Sequence, residues 1–178
     1  MNLAASAPSW LLLILGALLL AAAAEDAWRL RISNITSGAV LLAGILAVAI
    51  AGPQLILWQN VVVLCAILAV GTALFTAGHF GGGDVKLFAA VGFWFSLKSS
   101  LILISAIFLA GGALALIVLG LRLLPRKTSK TSRKKNQVPY GVAIAAGAAF
   151  AFFIVIQQSP ERAIMDFSPD AMKRLTRP

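Results

Sequence analysis

Only three acids stand in the first 160 residues: Glu25, Asp26 and Asp84. Two of them close the first apolar run, and the third follows Gly81-Gly82-Gly83 and precedes Val85-Lys86. An ionisable group at the end of a lipid-embedded segment is costly to keep there, which marks it as a functional group. Two carboxylates brought together can share one proton, so that one takes a proton from water while the other polarises a carbonyl. Like charges about 3 Å apart do not both ionise, and such a pair titrates as a unit. This chemistry hydrolyses a peptide bond without a Ser or Cys nucleophile, and Asp26 and Asp84 are its candidate catalytic pair. The glycines before Asp84 permit close backbone approach and positive φ, and a loop of this kind can act as a gate. The alternative makes Gly81–Gly83 a plain turn and Asp84 the N-cap of the following segment.

Other constellations are weaker. His79 is the single histidine and Cys65 the single cysteine, which leaves no ligand set for zinc and no internal disulfide. Neither a metal nor another cofactor is expected. Cys65 lies within an apolar run and is expected to be a small buried residue. The glycine stretch lacks the spacing of a phosphate-binding loop, and the Ser and Thr residues have no base beside them.

The elements that must position the two acids are apolar. The chain is 60% hydrophobic and 12% charged, with a mean hydropathy of +0.94, against about 45–50% and about 25% for soluble domains. An all-α polytopic membrane bundle of about six spans is expected, with no room for a second folded domain. It occupies residues 1–158, and a polar C-terminal tail follows over 159–178. The first span is Trp10 to Ala24, uncleaved because no Lys or Arg precedes it. Loop 25–34 carries Asp26, and Ile35 to Ile50 is the second span. After a turn at 51–54, Leu55 to Phe75 is the third, where Gln59 and Asn60 sit at the interface or bond a neighbouring helix. Beyond the glycine loop, a short apolar segment runs from Val85 to Leu97, and a turn at Lys98-Ser99-Ser100 leads into Leu101 to Leu121. In that span Gly111-Gly112 would allow close helix approach. Pro139-Tyr140-Gly141 opens the last span, which ends near Ile156. The tail fits either a short amphipathic helix on the membrane surface or an unstructured segment.

Charge orients the bundle. The net charge is +9, and the loop over 122–138 holds seven Lys and Arg and no acid. Such clusters between spans follow the positive-inside rule rather than nucleic-acid binding. The basic loop is expected to lie against the anionic cytoplasmic leaflet, with membrane lipids as its partners. The first, third and fifth loops then face the cytoplasm and both termini face the periplasm. This puts Asp26 and Asp84 on one side of the membrane.

At Gly81-Gly82-Gly83-Asp84-Val85-Lys86 the chain resembles the GxGD aspartic proteases. Within them it resembles the type IV prepilin peptidases, above all the short members serving tight-adherence (Flp-type) pili. Asp26 with Ile32 and Asn34 is a second patch of likeness, and Pro139-Tyr140-Gly141-Val142-Ala143 is a third. The resemblance implies a bacterial inner-membrane endopeptidase that cuts the positively charged leader from prepilins at the cytoplasmic face, just after a glycine. It carries over Asp26 and Asp84 as the catalytic pair and Gly81 and Gly83 as the residues shaping the second aspartate's loop. Asn34 and Lys86, inside the matched patches, are substrate-site candidates. Ser33 stands where that family often has Pro. The cysteine-bearing cytoplasmic domain of the bifunctional relatives is missing, so methyl transfer is not expected. Two other classes fit the same acids: a small proton- or cation-coupled transporter, and a non-catalytic scaffold of a pilus or secretion machine.

Overall fold

A computed structural model describes residues 2–52, 54–78, 80–123 and 140–158. His79, the basic stretch 122–138 and the tail 159–178 fall outside the described side chains, and so do the expectations placed on them.

Among the described residues every element is a helix. They are α1 (Leu3–Ser6), α2 (Ser9–Arg29), α3 (Asn34–Ala51), α4 (Trp58–Thr76, entered by a 3-10 turn at Leu55–Leu57), α5 (Gly82–Gly92), α6 (Leu97–Leu123) and α7 (Tyr140–Gln157). Five of them, α2, α3, α4, α6 and α7, have the length and apolarity to cross a membrane. Their outward faces are apolar as well: Leu13, Leu20 and Leu116 are 75, 73 and 70% exposed. Large apolar side chains exposed around a whole bundle face lipid, and the chain is a multi-pass membrane protein. Cys65 belongs to this outer surface. It sits on the open side of α4 and not in a core.

The bundle is arranged around α7. Half of its span is buried, against 17% for α4 and for α6. Small residues let neighbours reach it: a Cβ on Gly147 would lie 2.6 Å from the Ile107 Cα of α6. The close approach expected at Gly111-Gly112 is absent there. A Cβ on Gly112 would meet open space, and one on Gly111 would make ordinary contact with Ala143 at 3.8 Å.

The fourth apolar segment is not the continuous run to Leu97 that its sequence indicates. α5 has 11 residues, about 16 Å of helix, half of what a hydrocarbon core of about 30 Å requires. The chain leaves the helix at Phe93 and restarts at Leu97, so Lys98-Ser99-Ser100 is the first turn of α6 rather than a link. Backbone off the helix in apolar surroundings needs a partner for each polar group: the carbonyls of Ala89, Val91 and Gly92 take the N–H groups of Phe93, Trp94 and Phe95, and distant residues partner others. Asn60 Nδ2 donates to the Phe93 carbonyl at 2.8 Å, and the Trp94 indole donates to the Val40 carbonyl at 3.2 Å. Leu3 N–H donates to the Trp94 carbonyl at 3.1 Å, and Ser96 N–H to Asn2 Oδ1 at 3.3 Å. Trp94 and Phe95 are wholly buried against Phe152. α5 and this break together carry the chain from the Phe80–Tyr140 ring stack to the Phe95–Phe152 contact, from one end of α7 towards the other.

α2 also outruns its expected limit. It continues through Arg29 and ends with Leu30 in the left-handed region at φ 52°. Glu25 and Asp26 therefore ride on its last turns and not in a polar loop.

Candidate active site

Asp26 is 4% exposed. Its carboxylate meets the start of α7, where Gly141 N–H donates to Oδ2 at 2.6 Å and Val142 N–H also points at it. The first N–H groups of a helix have no partner within it, and a carboxylate suits the positive end of the helix dipole. The last turn of one helix thus caps the first turn of another. A Cβ on Gly141 would lie 2.8 Å from Asp26 Cβ and 2.6 Å from Ile32 Cδ1, so only glycine lets α7 come this close.

Asp84 is held differently. The N-cap of α5 is Gly81, and Asp84 is the third residue of the helix. Its carboxylate accepts the Gly81 N–H, in the manner of the acid of a capping box. A Cβ on Gly81 would sit 2.6 Å from Asp84 Oδ2, and one on Gly83 would sit 2.8 Å from the Ile32 carbonyl oxygen. At Gly82 the nearest atom would be a Phe75 ring carbon at 3.4 Å. The spacing Gly-x-Gly-Asp has a steric side: at Gly83 backbone fills the space, at Gly81 a side chain would displace the Asp84 carboxylate, and at Gly82 it would fit.

α5 is outside the five spanning helices, and the Asp84 carboxyl on it titrates high. Burial, and then the neighbouring Asp26 charge, push it up from 3.8 to about 6, with the Gly81 N–H opposing. The two acids therefore act on one another. Glu25 turns elsewhere: its Oε2 accepts Ser33 N–H at 2.9 Å and the Thr36 hydroxyl at 3.0 Å, pinning the start of α3. Asn34 and Lys86 are brought together at the exposed rim, where Lys86 Nζ donates to Asn34 Oδ1 at 2.8 Å.

A cleft of about 670 Å³ opens here, lined by Asp84, the three glycines, Glu25, Asn34 and Lys86 with the Arg29 and Arg31 side chains. Asp26 is not part of its lining. Among the described residues no group of three or more His, Cys, Asp or Glu side chains converges as a metal site requires.

Residues 13–120, more than half of the 178-residue chain, match the model of the type IV leader peptidase family. The chain belongs to this family. Neither the curated proteins nor the solved structures contain a significant match to it. The matched stretch of this leader peptidase includes both Asp26 and Asp84 and stops short of α7.

Two site features escape a reading of this peptidase's sequence. Gly141 supplies the amide that holds Asp26; Pro139-Tyr140-Gly141 marks a helix start and a patch of the family resemblance, but nothing in it says that its amide meets Asp26. Glu25 stands beside Asp26, and only its bonds to Ser33 and Thr36 separate the roles of the two acids. Ser33 followed three residues later by Thr36 was the available signal for a helix start needing a cap.

Proposed function

We propose that this leader peptidase cuts the leader from type IV prepilins of the Flp type, with Asp26 and Asp84 as its catalytic pair. One observation carries the reading: carboxylates from two separate helices act on each other at one end of an otherwise apolar bundle, beside an open cleft. With one proton between them, the ionised carboxyl takes a proton from a water as its oxygen attacks the scissile carbonyl carbon. The protonated carboxyl gives its proton to the carbonyl oxygen. The tetrahedral diol collapses as the carboxyl that took the water proton gives it to the leaving nitrogen, the C–N bond breaks, and a diol hydroxyl returns its proton to the other carboxylate. Asp84, which lines the cleft, meets the peptide, and Asp26, fixed by the α7 amides, orients the water. The bare backbone of Gly81–Gly83 lets an extended substrate approach closely. Arg29, Arg31 and Lys86 at the site end, against Lys98 at the other, support a site facing the cytoplasm of the bacterial inner membrane, with both termini periplasmic.

The test is a size-shift assay on a co-expressed Flp-type prepilin. Asp26→Asn and Asp84→Asn are each expected to abolish cleavage at unchanged membrane levels of enzyme, and chelators to leave the wild type unaffected. Full cleavage by either variant would overturn the pair and favour a transporter, which ion flux in reconstituted vesicles would detect, or a scaffold.

A further inference from the structure

We propose that Ile32 is a positioning residue, the spacer that sets the distance between the start of α5, with Asp84, and the start of α7, which holds Asp26. The inference rests on the reading that the two aspartates work as a pair.

Ile32 lies in the short connection between α2 and α3 and is 8% exposed. It touches the bare Cα positions of two glycines from different helices. On one side a Cβ at Gly83 would meet the Ile32 carbonyl oxygen at 2.8 Å, its Cβ at 3.2 Å and its nitrogen at 3.3 Å. On the other a Cβ at Gly141 would meet Ile32 Cδ1 at 2.6 Å. Both helix starts are pressed against the same residue with no space left over. The α5 start rests on the Ile32 backbone and Cβ and the α7 start on the end of its side chain, so the reach from Cβ to Cδ1 lies between the two; branching at Cβ makes its first torsion stiff.

A spacer works only if it is itself fixed. The connection has no regular structure, but its next residue is tied down from α2: Glu25 Oε2 accepts the Ser33 N–H at 2.9 Å. The Ser33 hydroxyl then accepts Thr36 N–H at 3.1 Å and caps α3. Glu25 thus locks the spacer without facing Asp26.

Ile32 carries no charge, which makes its replacement informative. The charged groups around Asp84 are Asp26 and Glu25 on α2, Arg29 and Arg31 at and beyond its end, and Lys86 on α5. None of them changes when Ile32 is shortened. A shift in the titration of the pair then reports the distance between the two carboxylates.

The experiment measures prepilin cleavage by the full-length enzyme from pH 5 to 8.5. The variants are Ile32→Val, Ile32→Ala, Glu25→Gln and Glu25→Ala, beside Asp26→Asn and Asp84→Asn. Ile32→Val is expected to lower kcat about tenfold and Ile32→Ala about a hundredfold, with KM changed less than about twofold, since a misplacement near 1 Å costs on that order. Without the spacer the helix starts close up, the carboxylates repel more strongly, and the alkaline limb moves to higher pH in proportion to the atoms removed. Glu25→Ala removes both a nearby charge and the tie to Ser33, and is read against Glu25→Gln, which removes the charge alone. Glu25→Gln removes the same charge but keeps an acceptor oxygen for Ser33, so its limb should lie below that of Glu25→Ala by the Ile32→Val shift. If Ile32→Ala lowers only the amount of folded protein, with kcat per folded molecule and the alkaline limb unchanged, the spacer is refuted while the aspartate pair stands. Cleavage surviving in Asp84→Asn refutes the pair, and the spacer with it.

Discussion

At both ends of this bundle a helix stops and the chain turns within apolar surroundings, yet the two ends are finished in opposite ways. At the Phe93–Ser96 break neutral groups meet neutral groups: Asn60, Asn2 and Leu3 partner the backbone, the Trp94 indole donates to the Val40 carbonyl, and Trp94 and Phe95 are sealed inside. At the other end carboxylates cap the starts of α3 and α7, glycines remove the side chains between helices, and a cleft of about 670 Å³ stays open. The same physical need, partners for backbone groups off the helix, is met once by closure and once by charge. Closure yields stability. Charge kept beside an opening yields reactivity, at a cost in stability that active sites commonly carry.

The contrast is sharpest in the aspartate variants. Asp26→Asn or Asp84→Asn should lower prepilin cleavage by more than about a thousandfold, in line with the loss of a residue acting as part of a unit, while the protein folds and inserts as before. Replacement at the sealed end should do the reverse. Trp94→Ala is expected to cost about 3–5 kcal/mol of stability, read as a fall in the thermal midpoint in detergent. Cleavage per folded molecule and its pH profile should hold. A shifted pH profile in Trp94→Ala would break the division between the two ends.

Within the glycine loop the expected effects are smaller and uneven. Gly83→Ala drives a methyl group into the Ile32 backbone and should cost about 1–3 kcal/mol, as overpacking does, together with most of the activity. Gly82→Ala, facing the Phe75 ring at 3.4 Å, should be close to wild type in both measurements. Equal effects at the two positions would remove the steric account of the motif.

The smallest effect is on stability against pH. The Asp84 carboxyl titrates near 6 in the folded chain against an ordinary 3.8. A raised acid binds its proton more tightly when folded, so this group favours the folded state increasingly as pH falls from about 6 to about 4. Above about pH 7 it opposes folding by a constant amount. Two units correspond to nearly 3 kcal/mol, and partial exposure reduces this to about 1–2 kcal/mol. Asp84→Asn should therefore raise the thermal midpoint by a few degrees at pH 8 and leave it unchanged at pH 4.

How much of this was legible in the sequence follows from where each signal resides. The helices α3, α4 and α7 stand close to their apolar runs because length and hydropathy are local properties. The Gly81–Asp84 stretch was conspicuous for the same reason. What stayed hidden depends on partners far along the chain. Glu25 and Asp26 look like the start of a loop because polar residues ordinarily end a span, but α2 keeps them as caps for α3 and α7. Phe93-Trp94-Phe95 contains no Gly or Pro and reads as continuing helix, whereas Asn2, Leu3 and Asn60, all remote in sequence, partner its backbone outside the helix. Gly111-Gly112 looked like the contact point, whereas the residue that α6 presses upon is Gly147.

The hydrogen bond from Gly141 to Asp26 joins the first long helix to the last one among the described residues. During synthesis Asp26 emerges early, and the amide that fixes it emerges more than a hundred residues later, after Asp84 has already been made. A chain halted before residue 141 would hold both aspartates without the group that orients one of them. On the proposed reading of the pair, the order of synthesis therefore withholds the group that fixes Asp26 until after both acids have been made.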